Sequence, residues 1–255
     1  MSHHPTEGGV AHPNASMPSY VKDPRDAGNI NPDEVNARDN YSLHCVFAVD
    51  GELPEEKDSR GRIAADVVAA IEGCGVELRG FYDVGGFRAD ADLMVWMLAD
   101  SAVKLQAAYR AILRSDLGGF VSPVWSAMSR HMAAEFNARH LPACFGGVVP
   151  RDFVAVYPFV RSWDWYYLPE ARRSAILKEH GMNGRDYLDV QVSTLAAFAL
   201  GDYEWTISLE ADSLERIMGV LRKQRDAEAR LFVREDTPFF TGPRVALEEW
   251  ITALP

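Results

Sequence analysis

Two stretches of this 255-residue chain follow one order, and that order restricts what it can fold into. FRADADLMVWMLAD (87–100) and SLEADSLERIMGVLRK (208–223) each read as a strand-like apolar run, an Ala-Asp pair and a helical run. The elements ahead of them also correspond. YSLHCVFAVD (41–50) reads as a strand ending in an Asp-Gly turn. Ser59–Glu72 sets Ile63, Val67, Val68 and Ile71 at helical spacing, and Val76–Phe87 is strand-like but broken by Gly85-Gly86. The pattern then restarts: Asp152–Arg161 as a strand, Pro169–Glu179 as a helix closed by Gly181, Val190–Leu200 and Tyr203–Ala211 as strands, and Asp212–Arg230 as a helix. The spacing further predicts one long amphipathic helix over Asp90–Leu113. It also predicts a helical stripe of Trp125, Met128, Met132 and Phe136 inside the less regular stretch Leu117–Pro150. An internal duplication of a β-α-β-β-α unit is the economical reading. Two such units pair antiparallel sheets with helices outside, an α+β architecture. The division is a mobile tail over 1–40, a first unit with a connecting segment over 41–150, and a second, pocket-bearing unit over 151–255. The tail is rich in Pro, Gly, Asn and Asp and poor in periodic apolar positions.

Composition narrows the function. The formal net charge is −11, whereas a nucleic-acid surface needs a basic field, so no nucleic-acid partner is expected. No stretch approaches the roughly 18 apolar residues of a membrane span. The N-terminus MSHHPTEGGVAHPNAS lacks an apolar signal core. Cys45, Cys74 and Cys144 are odd in number and form no CxxC pair, which points to reduced thiols in a cytoplasmic protein.

One segment concentrates unusual chemistry. Val156–Pro169, VYPFVRSWDWYYLP, holds three Tyr, two Trp, one Phe and one Arg. Alternation along a strand puts Tyr157, Phe159 and Arg161 on one face, joined by Trp163 and Trp165 if the strand continues. Tyr157 and Arg161 then stand about 13 Å apart. Either this is a core strand whose Arg reaches solvent, or it is a wall against a flat anionic ligand, with Arg161 as a fork for a carboxylate. His180 shares a helix face with Ile176, in the last turn before Gly181. There it is either a surface His at a helix C-terminus or a nitrogen donor to iron. His140 ends the helical run HMAAEFNARH, continuing the Trp125–Phe136 stripe, and reads as inward-pointing or as a structural His. No phosphate-loop, HExxH, GxSxG or dinucleotide motif competes.

Taken together, the Tyr-Pro-aromatic-x-Arg strand, the following WYYLP, the helix ending in His-Gly, and the later DYEW (202–205) and REDTPFFTG (234–242) resemble the coproheme decarboxylase family, also called haem synthases, of the chlorite dismutase-like superfamily. The Tyr157-to-His180 spacing is similar to that of the actinobacterial branch. The resemblance implies tandem ferredoxin-like repeats, typically a homopentamer. Its substrate would be iron coproporphyrin III (coproheme), acting as its own redox cofactor. Hydrogen peroxide would drive oxidative decarboxylation of two propionates to vinyls, giving haem b, and a ferrochelatase would be a transient upstream partner. It implies Tyr157 as the catalytic radical Tyr, His180 as the iron ligand and His140 as the distal base. Arg161, Trp165 and Arg222 would be porphyrin-binding groups, with Ala227 standing where the family keeps a Ser. VSTLAAF (192–198) lacks the distal Gln of other branches and the catalytic Arg of true chlorite dismutases.

Overall fold

The computed structural model describes residue 26 and residues 30–254. Its helices are α1 (Pro32–Asn36), α2 (Lys57–Glu72), α3 (Ala102–Arg114), α4 (Trp163–Tyr167), α5 (Glu170–Gly184), α6 (Leu214–Gln224) and α7 (Leu247–Ala253). Its strands are β1 (Tyr41–Val49), β2 (Glu77–Asp83), β3 (Leu93–Ala99), β4 (Val121–Arg130), β5 (Phe153–Arg161), β6 (Gln191–Ala196), β7 (Trp205–Ala211), β8 (Val233–Glu235) and β9 (Phe240–Val245). The strands run antiparallel in the order β7-β6-β4-β1-β3-β2-β9-β5, and β5 pairs back onto β7. The sheet thus closes on itself as a barrel, with β8 a short addition to the end of β5. The order β4-β1-β3-β2 recurs as β9-β5-β7-β6, which is the ferredoxin-like arrangement twice over. Two short seams join the halves, Arg130↔Ala196 between β4 and β6, and Phe81↔Val245 with Tyr82↔Arg244 between β2 and β9. Near the second seam a Cβ on Gly242 would fall 1.7 Å from the Asp83 carbonyl oxygen, so only glycine allows this approach.

The duplication is present in a different register from the one read in the sequence. Leu93–Ala99 is strand β3, not part of a helix over Asp90–Leu113, and the match to Ala211-Asp212-Ser213 is Ala99-Asp100-Ser101. Both serines hold extended backbone at a helix start, with φ −149° and −148°. LMVWMLA misleads because both its faces are buried. Leu93, Val95 and Met97 pack under α2, α3 and α7, while Met94, Trp96 and Leu98 fill the barrel interior. Such a run carries no alternation. The helical stripe at Trp125 is also corrected: Val121–Arg130 is a strand, and residues 131–142 contain no helix. The aromatic strand ends at Arg161, so Trp163 and Trp165 lie on α4, not on the strand face. Helix α5 passes through Gly181, which has open space around it, and ends at Gly184. Helix α6 stops at Gln224, short of Arg230. Within the tail, α1 packs beside the loop after β4: the Asn36 amide nitrogen donates to the Ala138 carbonyl (2.8 Å), and its oxygen meets His131 Nε2 (2.8 Å). His3 and His4 lie outside the described residues.

Polar groups cross the barrel interior from one half to the other. Arg79 on β2 pairs with Glu210 on β7 at 2.7 Å, both almost fully buried. His44 on β1 lies 4.7 Å from the Trp96 ring and 3.1 Å from the Ser208 hydroxyl on β7. Burial drives the His44 pKa from 6.5 down to about 3. Below pH 6.5 the unfolded chain therefore takes up a proton that the folded chain refuses. Stability falls as the pH drops through that value, and this contribution levels off near pH 3. Replacing His44 by Gln is expected to flatten that part of the urea-midpoint profile. An unchanged slope would remove His44 as its cause.

Candidate active site

The candidate site lies where α6 packs on β5 and β7 and α5 packs on α6 and the turn Glu228–Phe232. Strand β5 divides its side chains as alternation requires. Val154 and Val156 enter the barrel interior, while Ala155 and Tyr157 join Leu209, Ile217 and Val220 under α6. The Tyr157 ring stacks on Phe239 with centroids 4.5 Å apart and 21° between planes. Burial pushes its phenol up to about 12, moderated by Arg225 and Arg230 and reinforced by Asp236. Those three groups form a cluster of their own, with Arg225 at 3.0 Å and Arg230 at 2.6 Å from Asp236 Oδ2.

Arg161 sits further along the same face. Its guanidinium lies 4.5 Å from the Phe159 ring centroid and 4.0 Å from that of the buried Trp165. It donates to the Ala229 carbonyl at 3.4 Å and has no ion pair among the described residues. Burial lowers its pKa to about 10, although Tyr166 and Glu204 act the other way. A half-buried cation lodged between aromatic rings without a carboxylate is arranged to receive one.

His180 lies on α5 one turn before its end. Burial and then the Arg161 charge hold its pKa below the ordinary value, so the imidazole is neutral at neutral pH. Its Nδ1 is buried without a hydrogen-bond partner, as are Gln224 Oε1 and Ser162 Oγ nearby in the fold. Gln224 Nε2 donates to the His180 carbonyl at 3.2 Å, tying α6 to α5. A neutral imidazole suits iron whose equatorial ligands come from a porphyrin. The charge on Arg161 links the two ends of the site, since it shares a strand face with Tyr157 and acts on His180.

The structure brings Arg161 against Trp165 and within electrostatic reach of His180, while Tyr157 lies further along the Arg161 strand face, under α6. It does not bring in the other two named residues. His140 is exposed in the loop after β4, where its backbone N–H donates to the Asn137 carbonyl at 2.9 Å. Through Glu135 and Arg173 (2.5 Å) the same loop is fastened to α5. Arg222 is exposed in the last turn of α6 without an ion pair among the described residues. Arg225 and Arg230, rather than Arg222, bear on Tyr157. The sequence reading missed both of them, as well as Asp236 and Phe239. The last two fall inside REDTPFFTG, a segment singled out only as a whole. Ala227 packs among Trp165, Ile176 and Ala229.

The chain belongs to the chlorite dismutase family, whose profile matches residues 60–245, and the barrel of paired ferredoxin-like halves agrees with it. Among curated relatives, the coproheme decarboxylase of Mycolicibacterium smegmatis is 47% identical over 225 residues, covering 88% of this chain and 97% of that protein. Solved structures share the fold. Chlorite dismutase from Candidatus Nitrospira defluvii in complex with imidazole superposes with a TM-score of 0.73 at 20% identity, over 83% of this chain and 93% of that one. A protein described as a putative chlorite dismutase gives 0.75 at 19% identity, over 85% and 100%. No described helix is long and apolar enough to cross a membrane.

Proposed function

We propose that this chain is a coproheme decarboxylase. It takes iron coproporphyrin III and, at the expense of hydrogen peroxide, converts two propionates to vinyls, releasing haem b. Each propionate, with one hydrogen peroxide and one proton, becomes a vinyl group, one carbon dioxide and two waters, so atoms and charge balance. The observation that carries the reading is the β5 face. It sets the buried Tyr157 on the same side as Arg161, whose guanidinium makes no ion pair among the described residues, in a chain 47% identical to a protein of that name.

The residues then take distinct tasks. His180 offers the neutral nitrogen that holds the iron. Arg161, wedged against Trp165, anchors a propionate and fixes the ring in its plane, and Arg222 is a further contact for the carboxylate edge. The bound iron and peroxide supply the oxidising equivalents. Tyr157 gives up an electron and its phenolic proton, and the resulting radical removes a hydrogen atom from the propionate carbon. Stacking on Phe239 keeps the ring in place while it does so. His140, on the loop fastened to α5, is the base for the peroxide proton once that loop closes over the porphyrin. Residues 151–255 hold the porphyrin and 41–150 scaffold the barrel. The working form is a cytoplasmic homopentamer that receives coproheme from a ferrochelatase.

A stepwise peroxide titration of the coproheme-loaded protein, read by porphyrin mass, tests this. Two successive losses of one carboxyl each are expected. Bound porphyrin that keeps four carboxylates would move the function to peroxidase or chlorite chemistry on the same fold.

A further inference from the structure

The run WDWYY (163–167) holds four oxidisable side chains beside the site, and their surroundings differ in sign. The Trp165 ring has the Arg161 guanidinium at 4.0 Å, and the Trp163 ring has Arg234 at 4.2 Å. A cation over a ring stabilises the neutral indole and opposes the positive charge that oxidation would leave there. Tyr166, next after Trp165 on α4, is placed the other way. Its hydroxyl donates to Glu204 Oε2 at 2.6 Å, and the same oxygen accepts the Arg161 backbone N–H at 2.8 Å. Oxidising a phenol at neutral pH requires somewhere for its proton to go. Tyr166 has a carboxylate in hydrogen-bond contact, so its proton has a place to go. Tyr166 is also 45% exposed, so it reaches solvent while Trp165 does not.

We propose that Tyr166, with Glu204 as its proton acceptor, is a second redox-active tyrosine that drains oxidising equivalents the propionates do not consume. This rests on the peroxide-dependent reading above. When peroxide exceeds propionate, the Tyr157 radical takes one electron from Tyr166 and one proton from water, restoring its phenol. Tyr166 passes its own proton to Glu204 Oε2 and becomes a neutral radical, and Glu204 returns that proton to solvent. A soluble thiol or ascorbate-type reductant then gives the Tyr166 radical a hydrogen atom. The arginines over the two tryptophans keep the hole from resting on either ring.

The test uses the full chain loaded with ferric coproheme, excess hydrogen peroxide and a nitroso spin trap, followed by peptide mass spectrometry. The trap adduct is expected on the peptide carrying Tyr166, at Tyr166 itself. It should be lost in Tyr166→Phe, which should still remove both carboxyls but bleach more porphyrin per peroxide. It should be weakened in Glu204→Gln, whose amide still accepts the Arg161 N–H but is no base. An adduct on Trp163 or Trp165 in the parent, or Tyr166→Phe with parent-like bleaching, would overturn the proposal. Porphyrin mass in the same samples separates the two claims. Four retained carboxylates with Tyr166 labelled would sink the decarboxylase reading alone, and two lost carboxyls with Tyr166 unlabelled would sink this inference alone.

Discussion

Replacing Arg79 by Leu is expected to destabilise the fold by about 3–5 kcal/mol, the usual cost of stranding a buried charge. Arg79 holds Glu210 through both Nη2 (2.7 Å) and Nε (3.3 Å), and also donates to the Val148 carbonyl and to Gln191 Oε1. Burial pushes the Glu210 carboxyl up, and Arg79 is the main force pulling it back. Without the guanidinium, Glu210 loses its main counter-charge inside the barrel and keeps only the weaker support of Arg151. Its pKa then rises further, so the deficit against the parent should shrink as the pH is lowered and Glu210 takes a proton. Removing both partners, Arg79→Leu with Glu210→Leu, should cost much less than Arg79→Leu alone. The measurement is the urea midpoint of all three proteins at neutral and acidic pH. A single variant as stable as the parent would show that the pair does not clamp the two halves.

Replacing His180 by Ala is expected to abolish the spectral signature of nitrogen-ligated iron while leaving porphyrin binding weakened but present. The contact proposed between Arg161 and a propionate does not depend on the imidazole. The sign of the pH dependence follows from burial. His180 titrates below its ordinary value of 6.5, and a protonated imidazole cannot ligate. The parent's Soret spectrum should therefore stay constant as the pH falls through 6.5 and change only below it, and free imidazole should restore the signature in His180→Ala. Identical pH profiles in parent and variant would remove His180 as the ligand.

How far the sequence could be read depended on whether a local pattern had a single cause. The two-fold order of elements was legible because each half repeats strand, helix, two strands and helix. Strand β5 was legible because Tyr157 and Val156 really do face different surroundings. β3 was not, because LMVWMLA is buried on both faces and its Met, Leu and Ala suit a helix equally well. β4 failed for a related reason: Trp125 and Met128 in the strand, and Met132 just past its end, fall at helical intervals by chance, while the strand's pairing with β1 is long-range and invisible to local spacing. β8, β9 and α7 gave too short a signal. In the site, Tyr157, Arg161, Trp165 and His180 could be singled out because they crowd into one segment and the helix after it. Arg225, Arg230 and Asp236 were not found, because they bear on Tyr157 only through the fold, from beyond α6. The exposure of His140 is likewise a matter of loop position, not of sequence.

The most direct test of the account is the fate of the substrate's carboxylates in Tyr157→Phe beside the parent, each loaded with ferric coproheme and titrated with hydrogen peroxide. The substitution keeps the ring stacked on Phe239 and removes only the hydroxyl. The parent should lose two carboxyls in succession, while the variant binds the same porphyrin and loses none. A variant that sheds carboxyls at the parent's rate would contradict the assignment of Tyr157 as the reacting group and reduce the aromatic strand to a wall.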